Sequence, residues 1–137
     1  MQVHCKHEDI ALAATLGSML QLDMLIVFGA SAVCDHDDVI PKAIRLIGGK
    51  IIRVGMPVDP GNLIVLGQIG KTTVIGAPGC ARSPKENGFD WVLARLFAGL
   101  KVRSRDIIGM GVGGLLMEIP TRPSPRSATE TGEQADD

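Results

Sequence analysis

The chain is nearly free of aromatic residues and carries no surplus of one charge, no long apolar run and no even set of cysteines. Each absence excludes something. Aromatics make up 3% of the 137 residues, so the core has to be aliphatic, and base-stacking platforms for single-stranded nucleic acid are not expected. A formal net charge of -1 leaves no basic excess to drive binding to nucleic acid or to an anionic membrane. No apolar stretch approaches the ~20 residues that cross a bilayer, and the opening MQVHCKHED has charges where a signal peptide has its apolar centre. A cytoplasmic protein is the expectation. The three cysteines, Cys5, Cys34 and Cys80, are far apart, odd in number and without CxxC spacing, which argues against a disulfide framework and against zinc. His4-Cys5-Lys6-His7 is at most half a metal site with no partner cluster elsewhere, so these read as surface residues at a strand end.

What is present is a chain with 45% hydrophobic residues, globular in character and long enough for one domain. Its organising stretch is Asp23 to Asp38, DMLIVFGASAVCDHDD. Met24-Leu25-Ile26-Val27-Phe28 reads as a strand buried on both faces. Gly29-Ala30-Ser31-Ala32 follows, small enough to let backbone approach a ligand. After the acids Asp35, Asp37 and Asp38, a helical pattern opens at Val39-Ile40-Pro41, with Asp37 or Asp38 as its candidate N-cap. Strand, small-residue loop, acids and helix start together describe a ligand site at the carboxyl edge of a parallel sheet.

Taken in order, Glu8 to Leu22 has Leu12, Leu16, Met19 and Leu20 at helical spacing, weakened by Gly17. The helix from Val39 ends at Gly48-Gly49, with Ile44 and Ile47 toward the sheet and Lys42 and Arg45 solvated. Lys50 to Val54 reads as a strand, and Gly55 to Asn62 as a loop punctuated by prolines. Leu63–Leu66 and Thr72–Gly76 flank a Gly70-Lys71 turn and predict a β-hairpin. A second special loop, Ala77 to Pro84, precedes the best helix, Phe89 to Ala98, with Asn87 or Gly88 as its cap and a stripe of Val92, Leu93, Leu96 and Phe97. Beyond Lys101 the periodicity fades. Gly109 to Gly114 only imitates a dinucleotide fingerprint, because the downstream helix and acid are absent. From Pro120 the composition is that of a disordered tail. The expected architecture is α/β in three layers: a mostly parallel sheet with helices on both faces, plus the hairpin. The domain runs over 1–100, an extension over 101–119 and the tail over 120–137.

Three loops in this order resemble the molybdopterin-binding domain family of molybdenum cofactor biosynthesis. That family has a strand ending in Thr-Gly-Gly with a Gly-Asp-x-Asp after it, then Pro-Gly-Lys, then Pro-Gly-Asn-Pro. Here the counterparts are Phe28 to Asp37, Pro60-Gly61-Asn62 and Pro78-Gly79-Cys80. VDPGN, GAPGCARSPKENGFDWVLARLFAGL and GVGGLLMEIPTRPSPR look closest to the molybdopterin-binding half of two-domain proteins that continue into a nucleotidyltransferase-like domain. The likeness covers residues 3 to about 126 and is most specific over Gly79–Leu100.

The resemblance implies the family's molybdopterin-binding fold and a ligand with a flat pterin, a dithiolene and a phosphate. Backbone N–H groups of Gly29, Ala30 and Ser31 would face the phosphate, and Arg82 and Ser83 would touch phosphate or pterin. Asp35 and Asp37 would hold Mg²⁺ for adenylyl transfer from ATP. Pro60, Gly61, Asn62, Pro78, Gly79 and Cys80 complete the binding set. Three positions depart from the pattern: Cys34 replaces a glycine, Cys80 an asparagine, and Asn62 the lysine of the cofactor-insertion enzymes. A binding module is therefore expected over the alternatives, a Mg²⁺-dependent adenylyltransferase or an inactive remnant.

Expected partners are molybdopterin or its nucleotide, a nucleotidyltransferase domain or protein, and a second copy of the chain through Val65-Leu66 or Ile107-Ile108. The family's opening strand, loop and helix with their Gly-x-Glu precede the part matched here, so the chain reads as N-terminally truncated. The MLIVF strand is then expected at an unpaired edge, an aggregation template that makes the 137-residue chain poorly soluble or partly molten.

Overall fold

Alternation of apolar residues along adjacent strands, feeding two separate helical layers, builds the domain. The structure, a computed structural model, describes residues 1–111. Its elements are α1 (Asp9–Gly17), β1 (Met24–Phe28), α2 (Val39–Leu46), β2 (Lys50–Val54), β3 (Val65–Ile69), β4 (Thr72–Ala77), α3 (Gly88–Phe97) and α4 (Ser104–Ile108). The four strands form one sheet in the order β1-β4-β3-β2. β1 runs parallel to β4, while β3 is antiparallel to both β4 and β2. The expected α/β class with helices on both faces holds. The sheet is mixed rather than mostly parallel, because the β3–β4 hairpin occupies its middle.

Side chains alternate across the pleat. Val65 and Val74 face one layer with Leu12, Leu16, Ile40 and Ile44, whereas Leu66 and Ile75 face the other with Phe89, Val92 and Ile107. α1 and α2 thus cover one face, and α3 and α4 the other. Lys42 is not simply solvated: its Nζ lies 2.6 Å from Asp9 and ties α2 to the first turn of α1. Arg45 likewise pairs with Asp37.

Several expectations change. β1 is not buried on both faces: Leu25 is buried, but Ile26 is 39% and Phe28 53% exposed, because β1 is an edge strand. α1 stops at Gly17 rather than near Leu22. On α3 the buried aromatic is Phe89, not the exposed Phe97. Val65, Leu66 and Ile107 are fully buried and spent inside the core, so of the two pairs expected to join two copies only Ile108 is exposed. Val102 and Ile107, within the segment drawn as an extension, belong to the second core, and α4 went unread because five residues carry too little periodicity. Expectations for residues 112–137 fall outside the described residues.

The start of α3 is fixed by a reciprocal cap. Asn87 Oδ1 accepts from Phe89 N–H at 3.1 Å, and Asp90 Oδ2 accepts from Asn87 N–H at 2.9 Å. Asn87 Nδ2 donates to Cys80 O and Lys85 O, so this buried amide is satisfied on both sides. Asn87→Ala is expected to cost about 2 kcal/mol, a lost cap plus carbonyls left without a donor. Exposed Gln68→Ala should stay within about 0.5 kcal/mol. Urea unfolding of both variants against the parent checks the difference.

Candidate functional site

β1, β2 and β4 point the same way, so the loops that leave them emerge at one edge of the sheet. These are the loops holding Gly29–Asp37, Pro60–Asn62 and Pro78–Ser83. Phe28 and Ala77 are the last register pair of the parallel ladder, which sets the first and third loops side by side. The Arg82 guanidinium stacks 5.7 Å from the Phe28 ring centroid across that junction. The second loop reaches the third through the start of α3. Gly88 N–H donates to Pro60 O at 2.9 Å, while Asn87 next to it donates to Cys80 O. Gly61 has φ +117, and a Cβ there would sit 2.7 Å from Gly88 N, so only glycine lets the loop dock this closely.

The first loop has satisfied many of its own donors. Ala30 N–H donates to His7 Nδ1 at 3.3 Å. Nδ1 as acceptor leaves the hydrogen of a neutral ring on Nε2, which lies 3.2 Å from Ser31 Oγ and donates to it. Asp38 Oδ2 accepts from Cys34 N–H at 2.7 Å and Asp35 N–H at 2.9 Å. Asp38 occupies the N-cap position of α2, but its carboxylate turns back to the loop instead of capping the helix. The N–H groups of Asp35 and Cys34 hold its carboxyl below the usual range.

Asp35 and Asp37 lie together, since Asp37 N–H donates to Asp35 Oδ1 at 2.8 Å. Asp37 Oδ1 is held by Arg45 Nη2 at 2.9 Å, and Arg45 Nη1 also donates to His36 O. Each carboxylate therefore has one oxygen engaged within the protein, Asp35 by the Asp37 N–H and Asp37 by Arg45. No group of three or more His, Cys, Asp or Glu side chains among the described residues is placed to hold a metal ion.

A cavity of about 860 Å³ opens beside β1, floored by Leu12, Leu16 and Leu25 and walled by Met1–His7. Gly29, Ala30 and Arg82 line it, whereas Asp35, Asp37, the second loop and the rest of the third do not. Asn62 is exposed, its carbonyl accepting from Met56 N–H. Pro78 is buried, Gly79 exposed and Cys80 half-buried, while Ser83 Oγ accepts from Lys85 N–H. His7 is the residue that sequence reasoning missed. Nothing in HCKH signals a contact with residues 23 and 24 positions further on. No protein-family model, curated protein or solved structure matches this chain.

The Asp38 carboxyl gives a pH-dependent expectation. Its folded-state value lies below the ordinary 3.8, so the stability it contributes is full above that value and is lost as pH falls through the folded one. Asp38→Asn should be less stable than the parent near pH 7, and the gap should close in strong acid. Urea midpoints measured from pH 7 down to about 2.5 read this out. A gap that stays constant with pH would assign the effect to the loop geometry instead.

Proposed function

We propose that the chain is a binding module for molybdopterin or a molybdopterin nucleotide, acting in the maturation of that cofactor. The observation that carries the reading is the convergence of three loops at the carboxyl edge of β1, β2 and β4, in the order the resemblance requires. Such an edge is where α/β sheets bind ligands. At the junction of the first and third loops, the Phe28 ring and Arg82 offer a flat apolar face beside a cation. That pairing suits a planar heterocycle carrying a phosphate. Ala30 N–H and Ser31 Oγ are the polar groups within reach, and a phosphate engaging them displaces His7.

The adenylyltransferase reading has less support. Its two acids, Asp35 and Asp37, are held by Asp37 N–H and by Arg45, and Cys34, Cys80 and Asn62 depart from the pattern. A nucleotidyltransferase domain or protein as partner follows from the resemblance alone.

Calorimetric titration with molybdopterin is expected to give micromolar binding. Arg82→Ala should weaken it about tenfold, the scale of one charge-assisted hydrogen bond. His7→Ala should bind at least as tightly, because the loop donors are released. Absence of binding at several hundred micromolar would remove the proposal. Pyrophosphate release from Mg-ATP and molybdopterin, abolished by Asp37→Asn, would favour the enzyme over the module.

A further inference from the structure

The His7 ring is seated over the turn that leaves β1. A Cβ added at Gly29 would come within 3.2 Å of His7 Cε1, so glycine is what admits the ring here. From that seat Nδ1 takes the Ala30 N–H at 3.3 Å, and Nε2 meets Ser31 Oγ at 3.2 Å. Ala30 and Ser31 are thus engaged from within the chain, as the N–H groups of Cys34 and Asp35 are by Asp38. The two internal acceptors differ in one respect. Asp38, its carboxyl held below the ordinary 3.8, remains an acceptor in mild acid. An imidazole nitrogen accepts only while the ring is neutral, and imidazole is the side chain whose charge changes between pH 5 and 8.

Protonation puts a hydrogen on each ring nitrogen. Nε2 can still donate to Ser31 Oγ, but Nδ1–H then faces the Ala30 N–H, donor against donor, and that bond is lost. The Ala30 N–H is freed in the same step that sets a positive charge beside it. The other charged and titratable groups around the ring are few. β1 brings none. From the start of α2, the ionised Asp38 carboxyl is favoured by charge on the ring and so favours the imidazolium in turn. Arg82 of the third loop lines the same cavity and opposes it, as do Lys6 and a charged His4 on the segment that carries His7, with Cys5 between them. Glu8 follows in sequence, and Asp9, opening α1, is committed to Lys42.

We propose that His7 is a proton-released latch on the first loop: the neutral ring closes the Ala30 N–H and Ser31, and the protonated ring lets go so that an oxyanion takes its place. Resting on the molybdopterin reading of this loop, the latch links occupancy by the ligand's phosphate to uptake of a proton. Linkage fixes the sign. A ligand that binds only the open loop competes with the neutral ring, so its affinity rises as pH falls through the imidazole titration. The closed contact bounds the size, because releasing one neutral hydrogen bond between exposed groups is worth about fivefold in affinity. A phosphate ester gives up charge over the same pH range, which blunts the effect. Sulfate stays a dianion throughout and reports the protein alone.

The experiment is NMR of the ¹⁵N-labelled full chain between pH 7.5 and 5.5, with sulfate as the probe. The His7 ring should carry its hydrogen on Nε2 at pH 7.5 and on both nitrogens at pH 5.5. The Ala30 amide proton should move upfield with the same midpoint as the ring. Sulfate, followed on the Ala30 and Ser31 amides, should bind about fivefold more tightly at pH 5.5. His7→Ala should bind sulfate equally at both pH values, and more tightly than the parent at pH 7.5. His4→Gln and His36→Gln should keep the parent's pH dependence. A His7→Ala chain that only matches the parent at pH 7.5 overturns the proposal, because it assigns the pH effect to the charge of the ring alone. So do an Ala30 amide that ignores the His7 titration and sulfate that moves neither amide at any pH. The parent's spectra decide the matter even if the alanine variant fails to fold. Molybdopterin that fails to bind where sulfate does removes the reading of the ligand and not the latch.

Discussion

The parallel ladder between β1 and β4 is the constraint on which the rest depends. Five register pairs, Met24↔Thr73 to Phe28↔Ala77, join the α1–β1 portion to the hairpin. The buried Thr72 side chain fixes its starting point by sharing its hydroxyl hydrogen between Leu20 O at 3.0 Å and Leu22 O at 2.8 Å. Without that clamp the strand could slide, and a slip of one residue would turn Leu25 and Val27 away from α1 and α2. With it, the two strands end level, and the loops that follow them have to lie side by side.

Everything proposed for the site is downstream of that level ending. Arg82 reaches Phe28 because Phe28 and Ala77 are partners. The third loop then holds the second, through Asn87 to Cys80 and Gly88 to Pro60. A buried amide with bonds on both sides links the loops more firmly than exposed ion pairs do, because breaking it strands polar groups away from water. The first loop is held differently, by exposed groups. His7 takes the Ala30 N–H, and the Asp38 carboxylate takes those of Cys34 and Asp35. These contacts satisfy the loop while leaving them within reach of a competing ligand, as suits a loop that exchanges internal partners for external ones.

What the sequence by itself determined is the set of local elements. The hairpin follows from apolar runs about Gly70-Lys71, the α3 cap from Asn87 before an apolar stripe, and the helices on both faces from the order of strands and helical patterns. The three loops were legible too, since small residues and Pro-Gly pairs mark where a chain turns sharply. Tertiary structure decided what pairs with what. The run MLIVF reads the same whether it lies inside a sheet or at its border; an unpaired edge is expected for it from the resemblance alone, and the strand order β1-β4-β3-β2 puts it there. Likewise, nothing local to His7 indicates that its ring closes on Ala30 and Ser31, or that Asp37 is committed to Arg45. The physical reason is one of range. Turns, caps and periodicity act over a few residues and are written in the residues themselves, whereas strand order and cross-loop contacts arise from the competition of distant segments for the same buried surface.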